Sequence, residues 1–265
     1  MITSFCLKDE MKFAIISPMN KYKLNKNYPN SFQVFLLDIK EYFYHNKNTI
    51  HKARNELKVI KYDGVDTVVK SFRIPNRLNQ IVYSFFRDSK AKKSYEYSLK
   101  IGDFTPEPIG YVEFYALKLL KESYFISKKF DYDFTIREPL LDADFIDRDN
   151  IFKAFAKFTL DLHNNNIFHD DYSPGNILIK KEDEQYIFKI VDINRMKFFN
   201  LSQEDRAKNF SKLWASDAVL TIMAKEYLLH THYDDTFVSQ VLYFSNQNKK
   251  IKNFKKRMKG EEVKD

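Results

Sequence analysis

At 265 residues, 44% apolar and 30% charged, the chain is long enough for two modest lobes or one large domain, and too apolar to be disordered throughout. Its single cysteine, Cys6, excludes an internal disulfide and a cysteine-built zinc cage, and reads as a spectator thiol in a reducing compartment. Of the net charge of +8, seven positive charges fall within residues 249–259 with no acid among them, and the rest of the chain nets only +1. Such a basic tail attracts phosphates on lipids, glycolipids or nucleic acids.

Residues 1–12 are broken by Lys8, Asp9 and Glu10 and do not read as a secretory signal. The runs 49–53 and 57–62 are β-forming, Asp63-Gly64 is a hairpin signal, and 65–72 (VDTVVKSF) is the next strand. A polar helix over 89–101 stops at Gly102, and the two prolines of 105–108 keep that stretch extended. Strands follow at 111–120 and 123–129, so the first lobe reads as strands, one helix, strands. Beyond Phe130 the pattern turns helical. Apolar residues recur every three or four positions over 150–162, residues 177–179 and 186–191 form paired strands, and 211–229 is a long helix. The apolar stretch 218–224 is too short to cross a bilayer. In the tail, Ile251, Phe254 and Met258 fall at helical spacing among the basic residues, as on a helix that lies on an anionic membrane surface. A frayed, solubilising end is the alternative. The expected architecture is a bilobal α+β fold: a β-rich lobe over 1–129, a mainly helical lobe over 130–248, and a basic tail over 249–265.

The chemistry concentrates in 167–179 (IFHDDYSPGNILI) and in Val191-Asp192. A loop carries a carboxylate, Asp171. Five residues later an amide, Asn176, opens an apolar strand, and a second carboxylate, Asp192, ends the next strand. A strand–turn–strand hairpin sets Asn176 beside Asp192. Hard oxygen ligands without His or Cys suit Mg²⁺, which shares its sphere with substrate phosphates. Asp171 is then free to orient an attacking hydroxyl and take its proton. Phosphoryl transfer from ATP also needs a cation on the nucleotide phosphates. Lys70, on the 65–72 strand, supplies it, and Glu96 on the following helix is the candidate to hold that lysine. His169 reads as structural, positioning the loop backbone, and His163 as packing at a helix end. Asn194 and Arg195 either bind an anionic acceptor or brace the loop, and Asp170 is a candidate acceptor contact.

The spacing His169-x-Asp171-x(4)-Asn176 resembles the catalytic-loop pattern of kinases, Asp192 resembles the metal aspartate of D-F-G, and 162–167 resembles the helix end that precedes that loop. A closer resemblance is to the lipopolysaccharide kinase (Kdo/WaaP-like) family. It is carried by 89–96 (SKAKKSYE), 105–109 (TPEPI) and Asp192-Ile193-Asn194-Arg195, and it spans roughly residues 54–214. The resemblance implies a protein-kinase-like fold, ATP and Mg²⁺, and a Kdo or heptose hydroxyl of the lipopolysaccharide inner core as acceptor. It also implies a place in the cytoplasm, at the inner face of a Gram-negative inner membrane. There are departures. Asp170 replaces an arginine that many protein kinases use, and no A-P-E signature follows Asp192; both point away from a phospho-regulated protein kinase. Asp192-Ile193-Asn194 lacks the D-F-G glycine, and no glycine-rich loop covers the phosphates, a task the turn near Arg54-Asn55 would have to assume. The rivals are a kinase for protein or another small molecule, and a non-catalytic pseudokinase or module that binds anionic surfaces. Nucleic acid is disfavoured because the basic cluster is confined to the tail. Oligomeric state is not set by the sequence.

Overall fold

The computed structural model describes residues 19–52, 55–72 and 76–260. The expectations attached to Cys6, to residues 1–12, to Ala53 and to the turn at Arg54 lie outside the described residues.

The first lobe is built on a six-stranded sheet made from β1 (Met19–Leu24), β2 (Thr49–Lys52), β3 (Asn55–Tyr62), β4 (Val65–Phe72), β5 (Pro108–Ala116) and β6 (Leu119–Lys128). Its order is β1-β5-β6-β4-β3-β2, antiparallel at every pairing. The β3–β4 hairpin turns at Asp63 and Gly64 with φ of 48° and 78°, the left-handed pair that a two-residue hairpin requires. The expected strand over 111–120 is interrupted: Leu117 and Lys118 take φ of 51° and 61°, so Leu119 and Leu120 already belong to β6.

The expectation of one helix in this lobe is corrected. Besides α4 (Lys90–Ile101), the chain forms α1 (Ser31–Leu37), α2 (Ile39–His45) and α3 (Arg77–Phe85). Phe32, Phe35, Leu36, Ile39 and Phe43 recur at helical spacing and pack on one face of the sheet with Val112, Phe114 and Ile126. On the other face Tyr95 of α4 meets Tyr111 with ring centroids 5.5 Å apart. Because helices cover both faces, every β5 residue except Ala116 is buried, and the strand loses the alternation that a half-exposed strand would show. Gly110 sits where this layering is tightest: a Cβ there would lie 2.6 Å from the Lys23 carbonyl oxygen and 2.8 Å from Leu36 Cδ1.

The second lobe runs through β7 (Phe134–Thr135), α5 (Arg137–Leu141), α6 (Arg148–Asn164), β8 (Ile167–His169), β9 (Ile177–Glu182), β10 (Gln185–Ile190), β11 (Met196–Phe198), α7 (Gln203–Phe210), α8 (Asp217–Leu228) and α9 (Thr236–Met258). Its core joins Phe152, Phe155 and Leu162 of α6 to Phe210, Leu220, Tyr227 and Phe237. The expected single helix over 211–229 is two pieces. Residues 211–213 form a 3₁₀ turn, Trp214 takes φ of 57°, and α8 starts anew behind the N-cap Ser216, whose Oγ accepts from Val219 N–H at 3.4 Å. Residues 249–258 continue α9 as helix. Among the described residues no helix is long and apolar enough to cross a membrane.

The lobes meet at the C-terminal end of α4 and the segment after it. Lys100 lies 3.8 Å over the Phe198 ring, Phe104 meets Phe158 at 5.6 Å, and Thr105 Oγ1 donates to the Ile190 carbonyl at 2.8 Å.

Gly110→Ala is expected to destabilise the protein by about 1–3 kcal/mol, since backbone and a buried leucine must both shift to admit one methyl. Urea unfolding of the two proteins measures it.

Candidate active site

Two backbone pairings assemble the site. In the β9–β10 hairpin Ile177 pairs with Ile190, and Val191 N–H donates to the Asn176 carbonyl at 2.9 Å, which sets Asn176 beside Asp192. In the second, β8 pairs antiparallel with β11, Met196 opposite His169. Residues just after His169 therefore face residues just before or within β11. Arg195 Nη1 lies 3.4 Å from Asp171 Oδ2, and Lys197 Nζ lies 2.9 Å from Asp170 Oδ2.

The first lobe adds one group. Lys70 Nζ, from β4, lies 2.9 Å from Asp192 Oδ1, and their side chains are only 12% and 32% exposed. Asp192 takes φ of 57° and ψ of 43°, a left-handed conformation that aspartate tolerates better than most residues. Burial pushes the Asp192 carboxyl up, and the Lys70 ammonium, with its hydrogen bond and help from Arg195, more than offsets that and holds it below the usual range. The missing D-F-G glycine has a structural answer. Residues 193–195 form a 3₁₀ turn at negative φ, and Asn194 Nδ2 donates to Asp192 Oδ1 at 2.5 Å. An amide that braces the carboxylate stands where a flexible residue was expected.

Asn176 donates from Nδ2 to the Asp171 carbonyl at 3.0 Å, which leaves its side-chain oxygen as an acceptor next to Asp192. Among the described residues Asp192 Oδ2 carries no hydrogen bond or ion pair, so an amide oxygen and a carboxylate oxygen stand available together. That donor set fits Mg²⁺, which takes few protein oxygens and completes its shell with phosphate and water. No group of three His, Cys, Asp or Glu side chains converges among the described residues, so phosphate oxygens would have to supply part of any such shell.

Of the five residues singled out by sequence, the structure gathers Lys70, Asp171, Asn176 and Asp192. It does not bring Glu96 to Lys70. The inward stripe of α4 is Ala91, Ser94, Tyr95, Ser98 and Ile101, and Glu96 lies beside it, paired with Lys92 at 3.8 Å. A cavity of about 340 Å³ between α3, α4 and the β5 side of the sheet, lined by Lys21, Arg87, Lys92 and Glu113 among others, holds none of the five.

His169 positions the loop backbone, as the sequence suggested, and behind it stand buried polar partners that the sequence did not reveal. His169 accepts from Asp171 N–H at Nδ1 (3.1 Å), so its proton sits on Nε2, which donates to the Val191 carbonyl at 3.2 Å. One ring thus ties Asp171 to the strand end that carries Asp192. Behind it runs a chain of hydrogen bonds whose direction follows from its ends. Arg206 donates to Tyr227 Oη at 3.0 Å, Tyr227 Oη–H to His163 Nδ1 at 3.0 Å, His163 Nε2–H to Asn209 Oδ1 at 3.1 Å, and Asn209 Nδ2–H to the His169 carbonyl at 2.9 Å. His163, Asn209 and His169 are fully buried. The sequence signal was there in part: Asn209 is an amide flanked by Phe210 in a helix whose neighbours are core.

These two lobes, with an ion pair across the cleft and the loop and hairpin behind it, define a bilobal protein-kinase-like fold. Among solved structures the chain is similar to "WaaP in complex with acyl carrier protein", with a TM-score of 0.54 and 12% identity over 87% of this chain and 99% of that one. At that identity the likeness establishes the fold. No protein-family model and no curated protein sequence matches the chain.

Burial holds His163 down to about 3, Arg206 acting in the same direction and the Asn209 hydrogen bond against it, whereas the unfolded chain has 6.5. Between those values the unfolded state binds a proton that the folded state does not, so this contribution to stability is present above the unfolded value and is lost as the pH falls. Melting temperature is therefore expected to drop more steeply from about pH 7 to about pH 5 in the parent protein than in His163→Gln. Parallel calorimetry reads the difference.

Proposed function

We propose that this protein is an ATP-dependent phosphotransferase acting on a sugar hydroxyl, with Kdo or heptose of the lipopolysaccharide inner core as the acceptor. The observation that carries the reading is the Lys70–Asp192 contact of 2.9 Å across the lobes, beside Asn176 and Asp171. The acceptor class rests on the family resemblance of residues 89–96 and 192–195 and agrees with a fold shared with WaaP.

Lys70 binds the phosphates of ATP and offsets their charge. Asn176 and Asp192 would hold Mg²⁺, which supplies charge neutralisation on the phosphate oxygens and orients them. Asp171 orients the acceptor hydroxyl and takes its proton as the oxygen–phosphorus bond forms and the bond from the γ-phosphorus to the bridging oxygen breaks, releasing ADP. Arg195 anchors Asp171 by one oxygen and leaves the other for the hydroxyl. The chain contributes position and electrostatics, without a covalent intermediate. Glu96 would have to leave Lys92 to hold Lys70, and its role as the partner of Lys70 is part of the proposal.

A peripheral place on an anionic membrane is part of the same reading. Ile251, Phe254 and Met258 are 53%, 64% and 73% exposed on one face of α9, with Lys250 and Lys255 beside them. Serine at those three positions is expected to abolish co-sedimentation with vesicles rich in anionic lipid; unchanged partitioning rejects the membrane contact.

Labelled ATP with lipid A–Kdo acceptors tests the enzyme. Asp171→Asn is expected to lower transfer by about 10²–10⁴-fold with little change in nucleotide affinity. Lys70→Met should cost about 10²–10³-fold. Transfer undiminished in Asp171→Asn removes the assigned base, and transfer to polypeptide with none to glycolipid replaces the acceptor.

A further inference from the structure

The basic residues near the C-terminus are not all turned to solvent. On α9, Asn248, Lys249, Lys252 and Lys256 share the face that packs on residues 211–215, while Ile251, Phe254 and Met258 point the other way. Two anchors fix that face: Asn248 Nδ2 donates to the Ser211 carbonyl at 2.8 Å, and Lys249 Nζ to the Ala215 carbonyl at 2.8 Å. Beyond them Lys252 and Lys256 lie 4.9 Å and 5.8 Å over the ring of Trp214. Trp214 is itself held at a left-handed φ of 57°, a costly conformation for a bulky residue.

The charge of Asp171 is felt at this corner. Partial burial lowers the Lys252 ammonium from the ordinary lysine range, Lys212 and Lys256 press it further, and the charge of Asp171 is near enough to oppose them. Among the described residues none of Lys212, Lys252 and Lys256 stands in an ion pair, whereas Lys249 has Asp217 at 3.9 Å and Arg195 has Asp171. Three ammonium groups grouped without an ion-pair partner, one of them partly covered by an indole, repel one another. A bound anion relieves that repulsion.

We propose that Lys212, Lys252 and Lys256, grouped around Trp214, form an acceptor subsite for a carboxylate or phosphate. The hydroxyl offered to Asp171 then belongs to an acidic or phosphorylated sugar rather than a neutral one. This deepens the phosphotransferase reading and rests on it for the role of Asp171. The subsite is a specificity device: charge on the acceptor holds the sugar in register while Asp171 selects the oxygen.

Trp214 is the only tryptophan of the chain, so its fluorescence reports this corner and nothing else. The full-length protein, without nucleotide, would be titrated with Kdo and with its neutral methyl ester, and with heptose and heptose phosphate. The charged member of each pair is expected to change the Trp214 emission saturably, at least tenfold tighter than the neutral one, and less tightly as salt is raised. Lys252→Gln/Lys256→Gln should lose at least tenfold in that affinity. With transfer assayed alongside, the double variant should raise KM for the charged acceptor and leave kcat within about twofold. Equal response to the charged and neutral members overturns the subsite. So does an equal response to sulfate (an adventitious ion only), or a response to anionic vesicles with none to soluble sugars. Charged-sugar binding without any transfer leaves the subsite standing and removes the enzyme, and equal transfer to charged and neutral acceptors does the reverse.

Discussion

An ammonium and a carboxylate brought together from positions 122 residues apart, 2.9 Å from each other and largely out of water, organise this molecule. Such a pair is not a cheap source of stability, because each charge gives up hydration that the other only partly restores. Here Asp192 also occupies a left-handed backbone conformation and accepts a second hydrogen bond from Asn194 at the same oxygen. Geometry of this kind persists where surrounding structure over-determines it. The β9–β10 hairpin, the 3₁₀ turn after Asp192, and the β4–β6 pairing that aims Lys70 provide that surrounding. Lys70 and Asp192 neutralise one another across the cleft.

The second constraint is buried and polar. Arg206, Tyr227, His163 and Asn209 form one unidirectional run of donors ending on the carbonyl of His169. Tyr227, His163 and Asn209 each both donate and accept, so bonds in the chain polarise one another, and loss of any one strands its neighbours in a low-dielectric interior. The run carries the rigidity of α6, α7 and α8 into a loop with few backbone bonds of its own. His169 completes it by spanning Asp171 and Val191. The loop is thus positioned from behind by the helical core and from the side by the strand that bears Asp192.

Both the enzyme reading and the acceptor subsite place different faces of one helix in different tasks. The face of α9 that packs on Ser211 and Ala215 presents cations towards Trp214, and the opposite face presents Ile251, Phe254 and Met258 outward. Composition alone sees one basic tail there. Helical geometry sorts its residues onto two surfaces about half a turn apart, one against the body and one free.

What the sequence by itself determined was local and periodic. The spacing of Asp171, Asn176 and Asp192 was legible because a hairpin is a short-range structure, in which register follows from the turn and the alternation of a few apolar residues. The Asp63-Gly64 turn, the helix ending at Gly102 and the catalytic-loop pattern were legible for the same reason. The helices α1 and α2 were not: Phe32, Phe35 and Phe43 serve a β-rich reading as well as a helical one until a sheet face exists for them to cover. Only the tertiary structure decided that Lys70 meets Asp192, that Glu96 turns to Lys92 instead, and that Asn209 reaches His169. It also decided that Trp214 breaks the expected long helix and receives Lys252 and Lys256. Each of those contacts joins residues whose separation along the chain carries no preferred distance, so burial, packing and the pairing of charge had to choose it.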